Sequence, residues 1–416
     1  MTTALRKGWC PSALRPMASG DGLIVRLSVD DGVMAPSLAR ALTRLSRQFG
    51  NGLFDLSARA NLQLRGVSEA TLAPLQAELR ALGLIEADEA PAVVHNILTS
   101  PLAGIGPQAV LEIGPCVRAL RERLRHDEML HRLPAKFGFA IDDGSALSVA
   151  GENMDVSFLA QRGAGAPYFL VCLAGKPAGR CAIDELPDIG QRVAHAFLEL
   201  RNDAERRMAH LVRRVAIEAI ATKAGLAATA DCVAEGRASR PIGTYRVGQT
   251  HVLGLGVPFG RLDASTLEKL ADVAEMSGGA LRLTPWRAIL IVGTQPPDAP
   301  RLGGTRLIFG EDDPLRAVAA CPGAPSCANG TTATQDDARQ LAPLARRLKE
   351  HGIAVHVSGC VKGCAFSGAT PVTLVGREGR YDLVYSGKAS DKPALVGLDI
   401  SEVHLALQNL LEKIDA

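Results

Sequence analysis

An internal repeat restricts the fold of this chain more than any other feature. Residues 20–67 and 247–293 read as two copies of one unit. Each opens on an alternating strand, in which every second side chain faces the same way. Leu23, Val25 and Leu27 mark it in the first copy, and HVLGLGV marks it in the second. A helical stretch follows. Leu38, Leu42, Leu45 and Phe49 set its spacing in the first copy; in the second it is STLEKLADVAEM, with Ser265 as candidate N-cap. Each copy closes on a further strand, carried by Leu53, Leu56, Leu62 and Leu64 in one and by GALRLTPWRAILIVG in the other. These closing stretches match best, LSARANLQLRG around Ser57 against LRLTPWRAILIVG around Thr284. Two copies predict two halves related by a pseudo-two-fold axis, with a shared site between them.

Each copy precedes a longer α/β region. The first is predicted to hold helices near 107–131 and 188–210, the segment LPAKFGFAIDDG, and a strand at 168–173. Residues 221–240 (ATKAGLAATADCVAEGRASR) are small and polar and read as a linker. The second region, about 308–416, is predicted to hold a helix near 336–351, strands at 353–357, 372–375 and 383–385, and a terminal helix from about 401.

Charge narrows the partners. Forty-six basic residues against 44 acidic ones leave +2, so no global field attracts nucleic acid or an anionic membrane. Aromatic residues make up 4%, too few for a stacking platform. No apolar run reaches the length of a membrane span, and MTTALRKGWCPSALRP holds no signal-peptide core. The expected compartment is the cytoplasm, where clustered cysteines are better read as metal ligands or redox groups than as disulfides.

Four of the nine cysteines cluster. Cys321 and Cys327 enclose five residues, and Cys360 and Cys364 enclose three, after an intervening helix and strand. Four thiolates suit zinc or a 4Fe–4S cluster. Structural zinc usually takes a two-residue gap at each knuckle, whereas a cube needs ligands from more widely separated directions. Pro322, Gly323, Pro325, Gly359 and Gly363 make small, bent loops whose N–H groups can point at cluster sulfur. The cluster is the favoured reading over zinc and over unliganded thiols. Cys10, Cys116, Cys172, Cys181 and Cys232 are expected to be buried apolar fillers.

With these motifs the chain resembles the nitrite/sulfite reductase superfamily, over nearly its whole length. Members carry C-x5-C then C-x3-C and hold a 4Fe–4S cluster beside sirohaem, an iron tetrapyrrole with eight carboxylates. The resemblance implies an α+β fold of duplicated ferredoxin-like units, each followed by an α/β domain, related by pseudo-two-fold symmetry. The implied order is 1–80 first ferredoxin-like repeat, 81–220 tetrapyrrole-binding α/β domain, 221–240 linker, 241–300 second repeat and 301–416 cluster-binding domain. It also implies Cys321, Cys327, Cys360 and Cys364 as cluster ligands, the last bridging to sirohaem iron in the reductases. Carboxylates in a partly buried cleft need fixed cations, and Arg grips them bidentately. The motifs put Arg59 and Lys136 on tetrapyrrole-binding positions. Arg65 is expected on the strand face of Arg59, six residues along, and Arg287 completes the candidate substrate set.

The departures point to a different tetrapyrrole. The second lysine of the reductases' K-F-K is Gly138 here, their Arg-Asn pair is His95-Asn96, and Arg287 stands where they usually have glutamine. CPSALRPMASGDGLIVRL, SPLAG at 100–104 and TPWR at 284–287 look most like the precorrin-3B synthase family. That family implies oxygen-dependent hydroxylation of precorrin-3A and closure of a γ-lactone, on the aerobic route to cobalamin. It also implies a mononuclear non-haem iron, whose ligands and catalytic residues the sequence leaves unknown; His95 and His356 are candidates by position only.

Gly254, Gly256 and Gly260 have the wrong spacing for a dinucleotide loop, and neither a Walker motif nor a flavin fingerprint is found. Electrons are therefore expected from an external NAD(P)H-linked reductase or ferredoxin-like carrier. The rival readings are a sirohaem nitrite or sulfite reductase and a tetrapyrrole carrier with a structural cluster.

Overall fold

The computed structural model describes residues 11–85, 94, 96–163, 165–227 and 240–415. Cys10, His95, Cys232 and most of the expected linker lie outside these residues. Among those described, the chain forms four five-stranded sheets, and the two ferredoxin-like sheets exchange edges. The first runs Met17–Ser19, Gly22–Leu27, Leu62–Val67, Leu53–Leu56, then Arg261–Asp263 from the other half, all antiparallel. The second copy runs Gly243–Val247, Thr250–Gly256, Ala288–Gly293, Ala280–Leu283, then Val33–Met34 from the first half. Each half thus covers an edge that the other would leave unpaired.

Helices Pro36–Phe49 and Ala264–Met276 pack side by side across the pseudo-axis. Leu42, Leu45, Phe54 and Leu64 join Leu267, Leu270, Leu281 and Ile291 in one core. Proline preset for the first turn opens the first helix after extended Ala35. Asp263, not Ser265, caps the second: its carboxylate accepts from the Thr266 N–H at 2.7 Å, and Ser265 lies inside the first turn. The cap falls earlier because Asp263 ends the exchanged strand in an extended conformation.

Each expected closing strand is a hairpin. Leu53 and Leu56, three residues apart, would point to opposite faces of one continuous strand; instead Phe54 and Leu56 enter the core, and the chain turns at 57–61. Ser57 N–H donates to the Asn61 carbonyl, and its hydroxyl accepts from the N–H groups of Arg59 and Asn61. Thr284 does the same for Ala288, Trp286 and Ala288 in turn. Ala60 (φ 54°) and Arg287 (φ 53°) share the left-handed conformation. Arg59 is therefore the structural counterpart of Trp286, and Ala60 that of Arg287.

The two remaining sheets also match. Ile97–Thr99, Phe139–Asp142 and Val156–Gln161 run parallel, followed by antiparallel Tyr168–Leu173 and Lys176–Cys181. Val318–Ala320, Val355–Ser358 and Thr370–Arg377 repeat this, followed by Arg380–Gly387 and Leu395–Leu398. Helices Gly114–His126 and Leu186–Leu200 correspond to Thr334–Glu350 and Ile400–Asp415. Duplication covers both α/β regions as well, beyond the repeat visible in the sequence. The helix expected over 188–210 breaks after Leu200, where Glu205 accepts from Asn202 N–H and pairs with Arg214. The expected linker begins as helix Ile217–Lys223, and Ala227 then bridges to Arg180. Cys116, Cys172 and Cys181 are buried fillers; burial pushes the Cys172 thiol up to about 11 and Cys181 to about 12. Among the described residues no helix is long and apolar enough to cross a membrane.

Candidate functional site

Parallel strands end at the same sheet edge, and that fact assembles the four thiols. Cys321 follows Val318–Ala320 directly, and Cys360 follows the neighbouring Val355–Ser358 with only Gly359 between, so C-x5-C and C-x3-C leave the sheet side by side. Cys321 N–H donates to Val357 O at 3.2 Å, and Gly359 N–H donates to Cys321 Sγ at 3.1 Å. Thr334, opening helix Thr334–Glu350, donates its hydroxyl to Cys321 O at 2.6 Å. Cys327 N–H closes its loop on Gly323 O at 2.7 Å. The first loop folds back on itself, a Cβ on Gly330 standing 2.8 Å from the Gly323 carbonyl carbon, and it touches the second backbone to backbone, a Cβ on Gly359 standing 3.2 Å from Gly330 Cα.

Cys321 is buried, Cys327 and Cys360 are half-buried, and Cys364 is exposed. Burial raises the Cys360 and Cys364 thiols; neighbouring thiolates raise both further, and Lys362 opposes them. All three other cysteines act on Cys364, so the four sulfurs share one electrostatic neighbourhood. Among the described residues, however, no three His, Cys, Asp or Glu side chains close on a point as a single ion needs. Four thiols gathered at one sheet edge, one accepting a backbone N–H, fit a 4Fe–4S cube.

The first cysteine loop is clamped by both ferredoxin-like units. Ser326, beside Cys327, accepts at its carbonyl from Ser19 Oγ (2.6 Å) and Arg65 Nη2 (2.7 Å); its hydroxyl accepts from Arg261 Nη1 at 2.8 Å. Asp55 binds Arg65 at 2.8 Å and Arg261 at 2.7 and 3.0 Å, while Asp21 takes Arg65 at 2.6 and 2.9 Å. This corrects the expectation for Arg65. It shares no strand face with Arg59, which lies in the turn before the strand; it is 2% exposed, and all three of its guanidinium nitrogens are bonded within the protein. Arg65 holds the cluster loop, and its fork is not open to a ligand.

Arg59 and Lys136 are adjacent. Arg59 Nη2 donates to the Lys136 carbonyl at 2.7 Å, and the Lys136 side chain is exposed. Arg59 also borders a small pocket of about 30 Å³ with Asp30, Asp31 and Arg121. At Gly138 a Cβ would meet Asn96 O at 2.7 Å, Met154 Cε at 2.9 Å and Arg59 Nη1 at 3.1 Å. The space where a reductase places its second lysine is thus filled by Arg59 and Met154. Sequence reasoning missed Glu152 and Trp286. The loop carrying Met154 also carries Glu152, whose carboxylate accepts from Trp286 Nε1 at 2.8 Å across the two halves; burial raises its pKa, and this bond opposes the rise.

Arg287 follows Trp286. Burial lowers its pKa, and Asp55 and Cys321 act against that. It also acts on buried His356. A band of residues therefore runs from Lys136 and Arg59 through Met154, Glu152 and Trp286 to Arg287. The first half keeps a counterpart of the cysteine loop without thiols. Ser100 N–H donates to Ile141 O, and Ser100 Oγ accepts from Asp143 N–H at 3.2 Å, as Cys321 does with Val357 and Gly359. SPLAG against CPGAP is the sequence signal that carried this equivalence.

The family model described as the nitrite/sulfite reductase ferredoxin-like half domain matches residues 15–82 and 245–302, the two edge-exchanging units. The solved structure of the Mycobacterium tuberculosis NirA protein shares the fold, with a TM-score of 0.72 over 94% of this chain and 81% of that one, at 21% identity. A ferredoxin--nitrite reductase of Synechococcus elongatus is 26% identical over 91% of this chain and 80% of its own length. The duplicated fold with its four-thiol edge is that of the nitrite/sulfite reductase superfamily, of which this chain is a member. A precorrin-3B synthase of Sinorhizobium sp. is 31% identical over 94% of this chain and 85% of its own length. Within the superfamily, the chain belongs to the precorrin-3B synthase family.

Proposed function

We propose that this protein converts precorrin-3A to precorrin-3B, hydroxylating the meso carbon between rings A and D while the ring A acetate closes a γ-lactone. The observation that carries the reading is the full-length similarity to the Sinorhizobium precorrin-3B synthase. One atom of dioxygen enters the product as the hydroxyl oxygen, and the other leaves as water, taking up two electrons and two protons. Cys321, Cys327, Cys360 and Cys364 would hold a 4Fe–4S cluster, which passes single electrons from an external donor. Arg59, Lys136 and Arg287 supply cations for substrate carboxylates along the band described above. Glu152, fixed by Trp286, is the carboxyl within that band and is placed to hold a proton between the halves. No residue set among those described is assigned to a mononuclear iron.

The test is an anaerobic preparation given precorrin-3A, a reductant and ¹⁸O₂. One labelled oxygen in a hydroxylated lactone product is expected, together with about four irons and four sulfides per chain, as the cube contains. Unaltered precorrin-3A would leave a carrier. A strong sirohaem Soret band with nitrite or sulfite reduction would leave a reductase.

A further inference from the structure

Lys136 is the exposed residue of a turn, 134–138, that is otherwise buried or half-buried. The next residue, Phe137, is 0% exposed, and its ring packs against Phe139 and Phe197 at 5.7 and 4.7 Å between centroids. The turn thus sinks an aromatic ring into the core and leaves a cation outside.

Its backbone is fastened at every carbonyl. Pro134 O accepts from Phe137 N–H at 2.7 Å. Ala135 O and Phe137 O accept from Asn96 Nδ2 at 2.9 and 3.2 Å. Lys136 O, between them, accepts from Arg59 Nη2 at 2.7 Å. Gly138 O accepts from the N–H groups of Asp155 and Val156 at 3.1 and 3.3 Å. Gly138 N–H in turn donates to Asp155 Oδ2 at 3.0 Å, a carboxylate that Arg207 Nε also holds, at 2.9 Å.

Among these fasteners Asn96 brackets the lysine. It stands just ahead of strand Ile97–Thr99, is 6% exposed, and gives its side-chain amide to the carbonyls on either side of Lys136. An amide NH₂ has two N–H groups, one for each carbonyl. Its own carbonyl accepts from Phe139 N–H at 2.9 Å and would lie 2.7 Å from a Cβ on Gly138, so backbone and side chain of Asn96 both lie against the turn. A lysine on a loose loop gives up backbone freedom when it grips an anion, whereas here that order exists before any ligand arrives.

We propose that Asn96 is a positioning residue for substrate binding: it holds the 134–138 turn so that Lys136 meets a carboxylate of the tetrapyrrole from a backbone already fixed. The proposal rests on the tetrapyrrole reading above and adds a residue that acts through Lys136.

Uroporphyrin I, a metal-free octacarboxylate, is titrated into the cluster-loaded protein by fluorescence quenching, with Asn96→Ala, Lys136→Met and the double variant beside the wild type. Melting temperature and iron content check that each is folded and loaded. Lys136→Met is expected to bind about ten-fold more weakly, the loss of one charge-assisted hydrogen bond. Asn96→Ala is expected to bind about five-fold more weakly, through the lost preorganisation of that bond. If Asn96 acts through the lysine, its effect disappears with the lysine: in the Lys136→Met background Asn96→Ala costs less than about two-fold. An equal loss in both backgrounds overturns the proposal, since Asn96 would then shape the cleft as a whole. A lower melting temperature with wild-type affinity overturns it too, and so does Lys136→Met binding like the wild type. Asn96→Ser, which keeps one donor, carries the test if Asn96→Ala does not fold. A wild-type protein that does not bind uroporphyrin overturns the tetrapyrrole reading itself, whereas tight wild-type binding with an indifferent Asn96 variant overturns only the role of Asn96.

Discussion

A single backbone conformation puts Arg287 where its charge matters. Its positive φ is shared with Ala60 in the equivalent turn, and its charge opposes protonation of His356. Gly138 shows the converse, a position where the resemblance led one to look for lysine and packing admits no side chain. His356 has a measurable acid signature. Burial and Arg287 bring its folded pKa down to about 4 from an ordinary 6.5, so between these values the unfolded chain binds the extra proton. Stability therefore rises with pH through that window and falls as pH drops from 6.5 toward 4. Between pH 6.5 and 5 the wild type is expected to lose about 2 kcal/mol more unfolding free energy than His356→Gln, measured by urea denaturation at each pH. Equal slopes would mean that the imidazole is protonated or solvated in the fold.

Among the elements, the two cysteine loops are legible in spacing but not in shape. C-x5-C and C-x3-C name the ligands, and parallel pairing of Val318–Ala320 with Val355–Ser358 brings them to one edge. Their contact is made by glycine. Since a Cβ on Gly330 would overlap the backbone of Gly323 and Ala324 at 2.8 and 2.9 Å, Gly330→Ala must push the Cys321–Cys327 loop out of place. The expected result is a protein that still folds elsewhere but binds less than half the wild-type iron and sulfide, measured by chemical assay after anaerobic reconstitution. Full metal content would show that the loop tolerates the shift. The hairpins were hidden because both strands of each are apolar, and periodicity alone cannot see a turn made by Ser57 or Thr284 hydroxyls.

For the molecule as a whole, the halves are not independent bodies. They exchange edge strands, share one core and meet at Asp55, which stands between Arg65 of its own sheet and Arg261 of the exchanged strand. Asp55→Ala leaves two largely buried guanidinium groups short of a partner and frees Ser326 from part of its clamp. A loss of about 3–5 kcal/mol in unfolding free energy is expected, read from a urea transition, together with weaker retention of the cluster. A change below about 1 kcal/mol would show that Asp21 and solvent compensate.

The sequence by itself determined the repeat, the α+β class, the four thiols and the family resemblance, because apolar periodicity and ligand spacing are local patterns along one chain. Tertiary structure decided the exchange of strands and the duplication of the α/β sheets, where Ser100 replaces Cys321 and little identity remains to be read. It also decided the fate of each cation. Arg59, Arg65 and Arg287 look alike in sequence, yet one borders a pocket, one is consumed by Asp21 and Asp55, and one has no ion pair among the described residues. That difference depends on which carboxylates the fold brings within reach, and those come from segments tens to hundreds of residues away.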